Sequence, residues 1–354
     1  MRVLIVDDSV TFRSQIKKAL EMVPGVDIVG AASNGLIALQ ILQQKMVDLI
    51  IIDLNMPDMD GLMLLEELKK LGFVGRLRSL VFASQTGRSA KDTVHALSLG
   101  ASDFVLKPKG DHFNFEQAYL HIAAELVPKV IQFIQRPLEP ILTESNSVNQ
   151  NKTPYESINL STFQPEAIAL ASSTGGPRVL EQLFSYLRQP LNVPIFIVQH
   201  MPPLFTQSLA ARLSDIAGVD CKEGVDGELI KPGRVYIAPG NYHMTIANKN
   251  SKPTIHLNQE NKVNEMRPAA DPLLTSLAEV YGHKSLGIIL TGMGADGKEG
   301  AEAIKNVGGA VFIQDRESST VWGMPGAVYS SGAYDEIMNI EACGKILARL
   351  AGAS

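Results

Sequence analysis

Short apolar runs alternate with amphipathic segments through the first 135 residues. RVLIV, VDIVGAA, DLIIID, SLVFA and DFVLK are apolar nearly throughout, as parallel strands covered on both faces should be. Between them the apolar positions recur at helical spacing, as Phe12, Ile16 and Leu20 do in SVTFRSQIKKALEM. Five strands with intervening helices predict a doubly wound, flavodoxin-like α/β domain over 1–135, closed by a helix over 114–135. From 136 to 164 the periodicity disappears and polar residues and proline dominate, which predicts a linker. Apolar runs return at 165 in AIALA, PIFIVQ, RVYIA, SLGIIL and AVFIQ, most of them followed by glycine-rich turns and helices. They predict a second, Rossmann-like α/β domain over 165–354, with a mostly parallel sheet and a hairpin near YHMTIANKNSKPTIHL.

In an open parallel sheet, ligands collect at the carboxyl ends of the strands. Asp7 and Asp8 end the first predicted strand, Asp53 the third, Ser84 the fourth and Lys107 the fifth. Any one of these alone reads as a solvated strand-end residue. Together they form a pocket of three carboxylates, a hydroxyl and a lysine. Clustered carboxylates repel one another and call for a divalent cation, and hard oxygens favour Mg²⁺. With the ion present one carboxylate can attack a phosphoryl group, and Lys107 can steady the transferred charge.

The second domain opens with AIALA, then SSTGG, then a helix from about Pro177. Proline suits a first helical turn, and a helix N-terminus offers N–H groups to an oxyanion. A serine here reads either as a nucleophile or as a helix cap, and capping is the commoner task. A nucleophile needs a base. His95, His112 and His121 lie in the first domain, His256 sits inside a strand-like run and His283 precedes a strand. That leaves His200, at the end of PIFIVQ, and His243 after APGNY; the strand-end position favours His200. Asp296, in TGMGADG after SLGIIL, can orient it. The same stretch carries Gly292, Gly294 and Gly297 in GxGxxG spacing, with Asp315 about 20 residues on, which is a dinucleotide-site pattern. Against that reading, the motif sits late in the domain and leaves SSTGG and QHMPP unexplained.

Composition narrows the field. The 354 residues suffice for two domains, and 45% apolar with 19% charged is ordinary for a soluble protein. A net charge of −5, with no basic stripe or helix-turn-helix pattern, points away from nucleic acid. The two cysteines, Cys221 and Cys343, are outside CxxC spacing, and no apolar run approaches the roughly 20 residues of a membrane span. A cytoplasmic location is expected.

The double aspartate, DxxMPxMDG, the fourth-strand serine and KP resemble the receiver domain of bacterial response regulators. That resemblance implies Asp53 as phosphoacceptor, with Asp8, Asp53 and the Asn55 carbonyl holding Mg²⁺. Asp7 would be a supporting acid, Ser84 the switch hydroxyl and Lys107 the phosphoryl-binding lysine. SSTGGP, VQHMPP, APGNYH, RPAADPL, LTGMGADG and QDRESSTVWGMPGA resemble the chemotaxis protein-glutamate methylesterases, the CheB family. The implied triad is Ser173, His200 and Asp296, acting on glutamate methyl esters of chemoreceptors met from the cytosol, and on certain glutamines. A chemotaxis histidine kinase would be the phosphodonor, and the esterase itself would need no cofactor. Backbone groups near Thr174 and at Met293 are candidate oxyanion donors, and Arg267 a candidate rim residue. One departure is visible: the family usually has Gly-Ala or Gly-Thr before the nucleophile, where this chain has Ala171-Ser172. Ser172 therefore stays open as a contributor.

Overall fold

The computed structural model describes residues 1–108, 115–135, 155, 158–188 and 190–352. They divide into two compact units, 1–146 and 147–354.

The first unit follows β1 (Arg2–Val6), α1 (Val10–Leu20), β2 (Asp27–Ala32), α2 (Gly35–Gln44), β3 (Leu49–Asp53), α3 (Gly61–Lys70), β4 (Arg78–Ala83), α4 (Gly87–Leu99), β5 (Asp103–Leu106) and α5 (Phe115–Gln135). Its five strands are all parallel in the order β2-β1-β3-β4-β5. Every residue of β3 and β4 is buried, as central strands covered on both faces require. β2 departs from the expectation of a buried strand: it is the edge and is half exposed. The helices start where side chains cap them, Ser9 for α1, Asn34 for α2, Asp60 for α3 and Thr86 for α4.

The second unit follows β6 (Ala167–Ser172), α6 (Gly176–Phe184), β7 (Ile195–Gln199), α7 (Phe205–Ala217), β8 (Asp220–Glu223), β9 (Arg234–Ile237), β10 (His243–Lys249), β11 (Lys252–Asn258), α8 (Ala270–Tyr281), β12 (Ser285–Ile289), α9 (Lys298–Asn306), β13 (Ala310–Gln314), α10 (Gly323–Ser331), β14 (Glu336–Met338) and α11 (Ile340–Leu350). Seven strands run parallel in the order β14-β13-β12-β6-β7-β9-β8. The predicted hairpin is β10-β11, a separate antiparallel pair. Its turn residues Asn250 and Ser251 have φ of 51° and 60°, the left-handed pair that a two-residue hairpin needs. The flanking strands β8 and β14 were not anticipated. They are only four and three residues long, too short to carry a periodicity.

Of the expected linker, 136–154 lies outside the described residues. Its end belongs to the second unit: Tyr155 packs on that core, the Ile158 N–H donates to Asp335, and Arg349 donates to the Leu160 carbonyl.

Candidate functional site

The acidic pocket of the first unit forms as the strand ends require. β1 and β3 are neighbours, so Asp7, Asp8 and Asp53 converge, with a carboxylate oxygen of each within 4.8 Å of the others. Lys107 Nζ lies 2.7 Å from Asp53 and 3.5 Å from Asp7, sharing the pocket with the Phe12 and Phe82 rings. Burial pushes the Asp7 carboxyl up to about 6, against the pull of Lys107. It also raises Asp53, again opposed by Lys107. Asp7 Oδ2 is buried and receives no hydrogen bond. One lysine among three carboxylates, with an oxygen left over, is a donor set that fits a divalent cation. The oxygens gathered here are those of Asp7, Asp8 and Asp53. Asn55 enters through its N–H, 3.3 Å from Asp53 Oδ1. Ser84 follows β4, half buried, and no hydrogen bond joins it to the carboxylates among the described residues.

In the second unit, Ser172 pairs with Gln199 in the β6-β7 register, and the His200 N–H donates to the Ser172 carbonyl. The next residue on one strand, Ser173, therefore leaves the sheet beside His200. β12 flanks β6 on its other side and delivers Thr291-Gly-Met-Gly-Ala-Asp296. His200 Nε2 lies 2.7 Å from Asp296 Oδ2. Its Nδ1 is buried with no hydrogen-bond partner and is the nitrogen left for a serine hydroxyl. The other candidate base, His243, sits elsewhere, with its Nε2 on the Asn261 carbonyl.

The capping alternative for the serines does not hold. α6 is capped by Gly175, at φ 80°, with no side-chain cap hydrogen bond. A Cβ there would lie 2.3 Å from Thr320 Oγ1, so both conformation and space demand glycine. Ser172 is fully buried and donates to Gln199 Oε1 at 2.7 Å, while Gln199 Nε2 donates to the Ser173 carbonyl at 3.0 Å. Ser172 and Gln199 thus brace the turn, and Ser173 is the half-exposed one. Gln199 was not anticipated; a polar residue closing an apolar strand was its signal.

Of the glycines of TGMGADG, Gly292 serves this turn, while Gly297 caps α9. A Cβ on Gly292 would lie 2.9 Å from Ser173 Cβ and 2.3 Å from Met324 Sδ, so Gly292 is tight packing against the serine. Asp315 accepts hydrogen bonds from the N–H and hydroxyl of Ser318, closing its own turn. The Ser173 N–H is committed to the Thr291 carbonyl. The Met293 N–H makes no hydrogen bond among the described residues, and the Thr174 carbonyl accepts from the Thr291 hydroxyl. Arg267 is a brace: its guanidinium donates to Asn241 Oδ1 and to the carbonyls of Gln259 and Glu260.

Asp296 is supported from behind. α8 starts at Ala269, which has no capping side chain, and Asp296 takes that place from another loop. It accepts the Ala270 N–H at 2.6 Å and the Asp271 N–H at 3.1 Å. Burial opposes its charge, yet His200 and these two N–H groups outweigh burial and hold the carboxyl below its ordinary value. Asp271, beside it, is raised by burial and by the Asp296 charge.

A nucleophile-sized hydroxyl, a base with a free nitrogen, an ionised orienting carboxylate and an uncommitted N–H can perform acyl transfer. The CheB methylesterase family model matches residues 168–347, and the response regulator receiver domain model matches 3–114. The chain is 39% identical over 354 residues to a protein-glutamate methylesterase/protein-glutamine glutaminase of Trichodesmium erythraeum, covering 99% of each. It is 36% identical over 338 residues to the protein of the same name from Thermotoga maritima, covering 96% of this chain and 95% of that one. The crystal structure of the Thermotoga maritima CheB methylesterase catalytic domain is 42% identical, with a TM-score of 0.51, and covers 53% of this chain and 99% of that one. The chain belongs to the CheB methylesterase family, with a response regulator receiver domain ahead of the catalytic domain.

Proposed function

We propose that the chain is a phosphorylation-activated protein-glutamate methylesterase, and a glutamine deamidase by the same route, acting on chemoreceptors from the cytosol. The observation that carries the reading is the His200–Asp296 pair, closed at 2.7 Å, beside a serine that neither caps a helix nor braces the sheet.

The Ser173 hydroxyl gives its proton to His200 Nδ1 as its oxygen bonds to the ester carbonyl carbon. The carbonyl oxygen becomes an oxyanion within reach of the Met293 N–H. The imidazolium, stabilised by Asp296, returns the proton to the methoxy oxygen as the carbon–oxygen bond breaks and methanol leaves. Water, deprotonated by the same nitrogen, then hydrolyses the acyl-serine to the glutamate carboxylate. For a glutamine, ammonia leaves in place of methanol. Asp296 stays ionised throughout.

Regulation rests on the receiver. Asp53 accepts the phosphoryl group, from a chemotaxis histidine kinase or a small phosphodonor. Lys107, already on Asp53, neutralises the added charge, and Ser84 is the hydroxyl that meets a phosphoryl oxygen. Asp8, Asp53 and the Asn55 carbonyl that the receiver pattern implies would hold Mg²⁺, with Asp7 as the supporting acid beside them, and the ion would supply charge neutralisation at the phosphoryl oxygens. The test is methanol release from methyl-labelled chemoreceptor membranes with Mg²⁺, with and without acetyl phosphate. Release that rises with the phosphodonor supports both halves; wild-type release matched by Ser173→Ala sinks the esterase reading.

A further inference from the structure

Behind the triad carboxylate lies a surface turn. Val263 and Met266 close it with a reciprocal pair of backbone hydrogen bonds, 3.1 and 2.9 Å. Its two central residues, Asn264 and Glu265, both have left-handed φ, 50° and 62°. Asn tolerates that region, but the second position ordinarily takes glycine.

What the turn presents is an amide. Asn264 Nδ2 donates to Asp271 Oδ2 at 3.0 Å and reaches Asp296 Oδ1 at 3.4 Å. Asn264 itself is exposed, so water was available to its side chain. Instead both its acceptors are buried carboxylates, 5% and 1% exposed. Asp271 is anchored in turn: its Oδ1 accepts the Gly300 N–H at 2.8 Å, and its own N–H donates to Asp296. The layer is therefore continuous from this turn, through Asp271 and α8, to Asp296 and His200.

We infer that Asn264 is a positioning residue of the triad: anchored on Asp271, its amide fixes Asp296 Oδ1, so that Oδ2 holds the His200 ring with Nδ1 toward Ser173. This rests on the triad assigned above. Two acceptor oxygens divide the work. Oδ2 takes His200 and the Ala270 N–H; Oδ1 takes the Asp271 N–H and Asn264. Without the amide, Asp296 loses a donor that favours its charged form and resists its rotation. The charged groups facing this carboxylate are His200 from the loop after β7 and Asp271 of α8, with Glu299 of α9 beyond Asp271. Without the amide the Asp296 carboxyl rises, so labelling that needs the Asp296 anion is lost at a higher pH.

The experiment uses the full-length protein and follows labelling of Ser173 by a fluorophosphonate probe across pH, with thermal unfolding alongside. Asn264→Ala should slow labelling about 10-fold near neutrality, since small misplacements at a catalytic group cost that much or more. Its acid limb should move to higher pH while the unfolding midpoint stays near the parent's. Glu265→Gly, which relaxes the turn and keeps the amide, should retain the parental rate and limb. In methanol release, Asn264→Ala should lower kcat and leave KM unchanged. An unshifted acid limb in Asn264→Ala overturns the inference. So does a slower rate that follows only a lowered unfolding midpoint. Labelling reads the triad without a receptor, so wild-type labelling without methanol release counts against the substrate reading alone.

Discussion

Ser172 and Ser173 are adjacent, and successive side chains at a strand end face opposite ways. Ser172 turns into the core toward Gln199; Ser173 leaves the sheet beside His200. Ser173→Ala should reduce methanol release by at least ~10³-fold, as loss of a nucleophile does. Ser172→Ala leaves Gln199 Oε1 without its buried donor, and should lower stability by about 1–2 kcal/mol with turnover within ~10-fold of the parent. The reverse pattern in paired turnover and unfolding measurements would exchange the two assignments. In the receiver, Asp7 is the residue whose titration is felt. Its carboxyl is raised to about 6 by burial, above its unfolded value of about 4. Between those values the folded form keeps a proton that the unfolded chain has lost, so receiver stability falls as pH rises from about 4 to about 6. Compared with Asp7→Asn in the absence of Mg²⁺, the parent should show the steeper decline, Asp53 contributing to both.

Helix starts carry the chemistry of the elements. α6 begins at a glycine with no side-chain cap, which leaves the serines before it free of that duty. α8 begins at an alanine and borrows Asp296 as its cap, so one carboxylate both closes a helix and orients a base. The helix N-terminus repays this by stabilising the anion. Gly175 is where the strand-to-helix turn is least forgiving. Gly175→Ala combines φ of 80° with a Cβ 2.3 Å from Thr320 Oγ1; it should destabilise the catalytic unit by about 2 kcal/mol or more. Fluorophosphonate labelling should fall with it, because Ser173 stands two residues away. A parental unfolding midpoint and labelling rate would mean the turn relaxes without strain.

At the scale of the molecule, both units are doubly wound parallel sheets with their chemistry at the carboxyl edge, yet they use that edge differently. The receiver gathers acids around β1 and β3; the catalytic unit spreads a serine, a histidine and an aspartate over β6, β7 and β12. In the proposed function the first unit governs the second. Asp53→Asn should keep basal methanol release and lose its rise with acetyl phosphate. A rise that survives in this variant removes Asp53 from the role.

The alternation of apolar runs was enough to predict two α/β sheets, because strands buried on both faces leave an unbroken apolar signature. The strand-end residues were legible for the same reason: in a parallel sheet, the last residue of each run lies at the functional edge. β8 and β14 escaped because three or four residues hold no period, and β2 looked buried because its composition does not reveal that it is an edge. What residue order alone left open was which neighbour each strand takes. Only the order β12-β6-β7 puts Asp296, Ser173 and His200 on one edge, since hydrogen-bonded register, not sequence distance, sets who meets whom. The same holds for Gln199, Asn264 and Asp271. Each is a polar residue that reads as ordinary along the chain. Its role comes from a partner 7 to 32 residues away, buried beside it only once the sheet and α8 have closed.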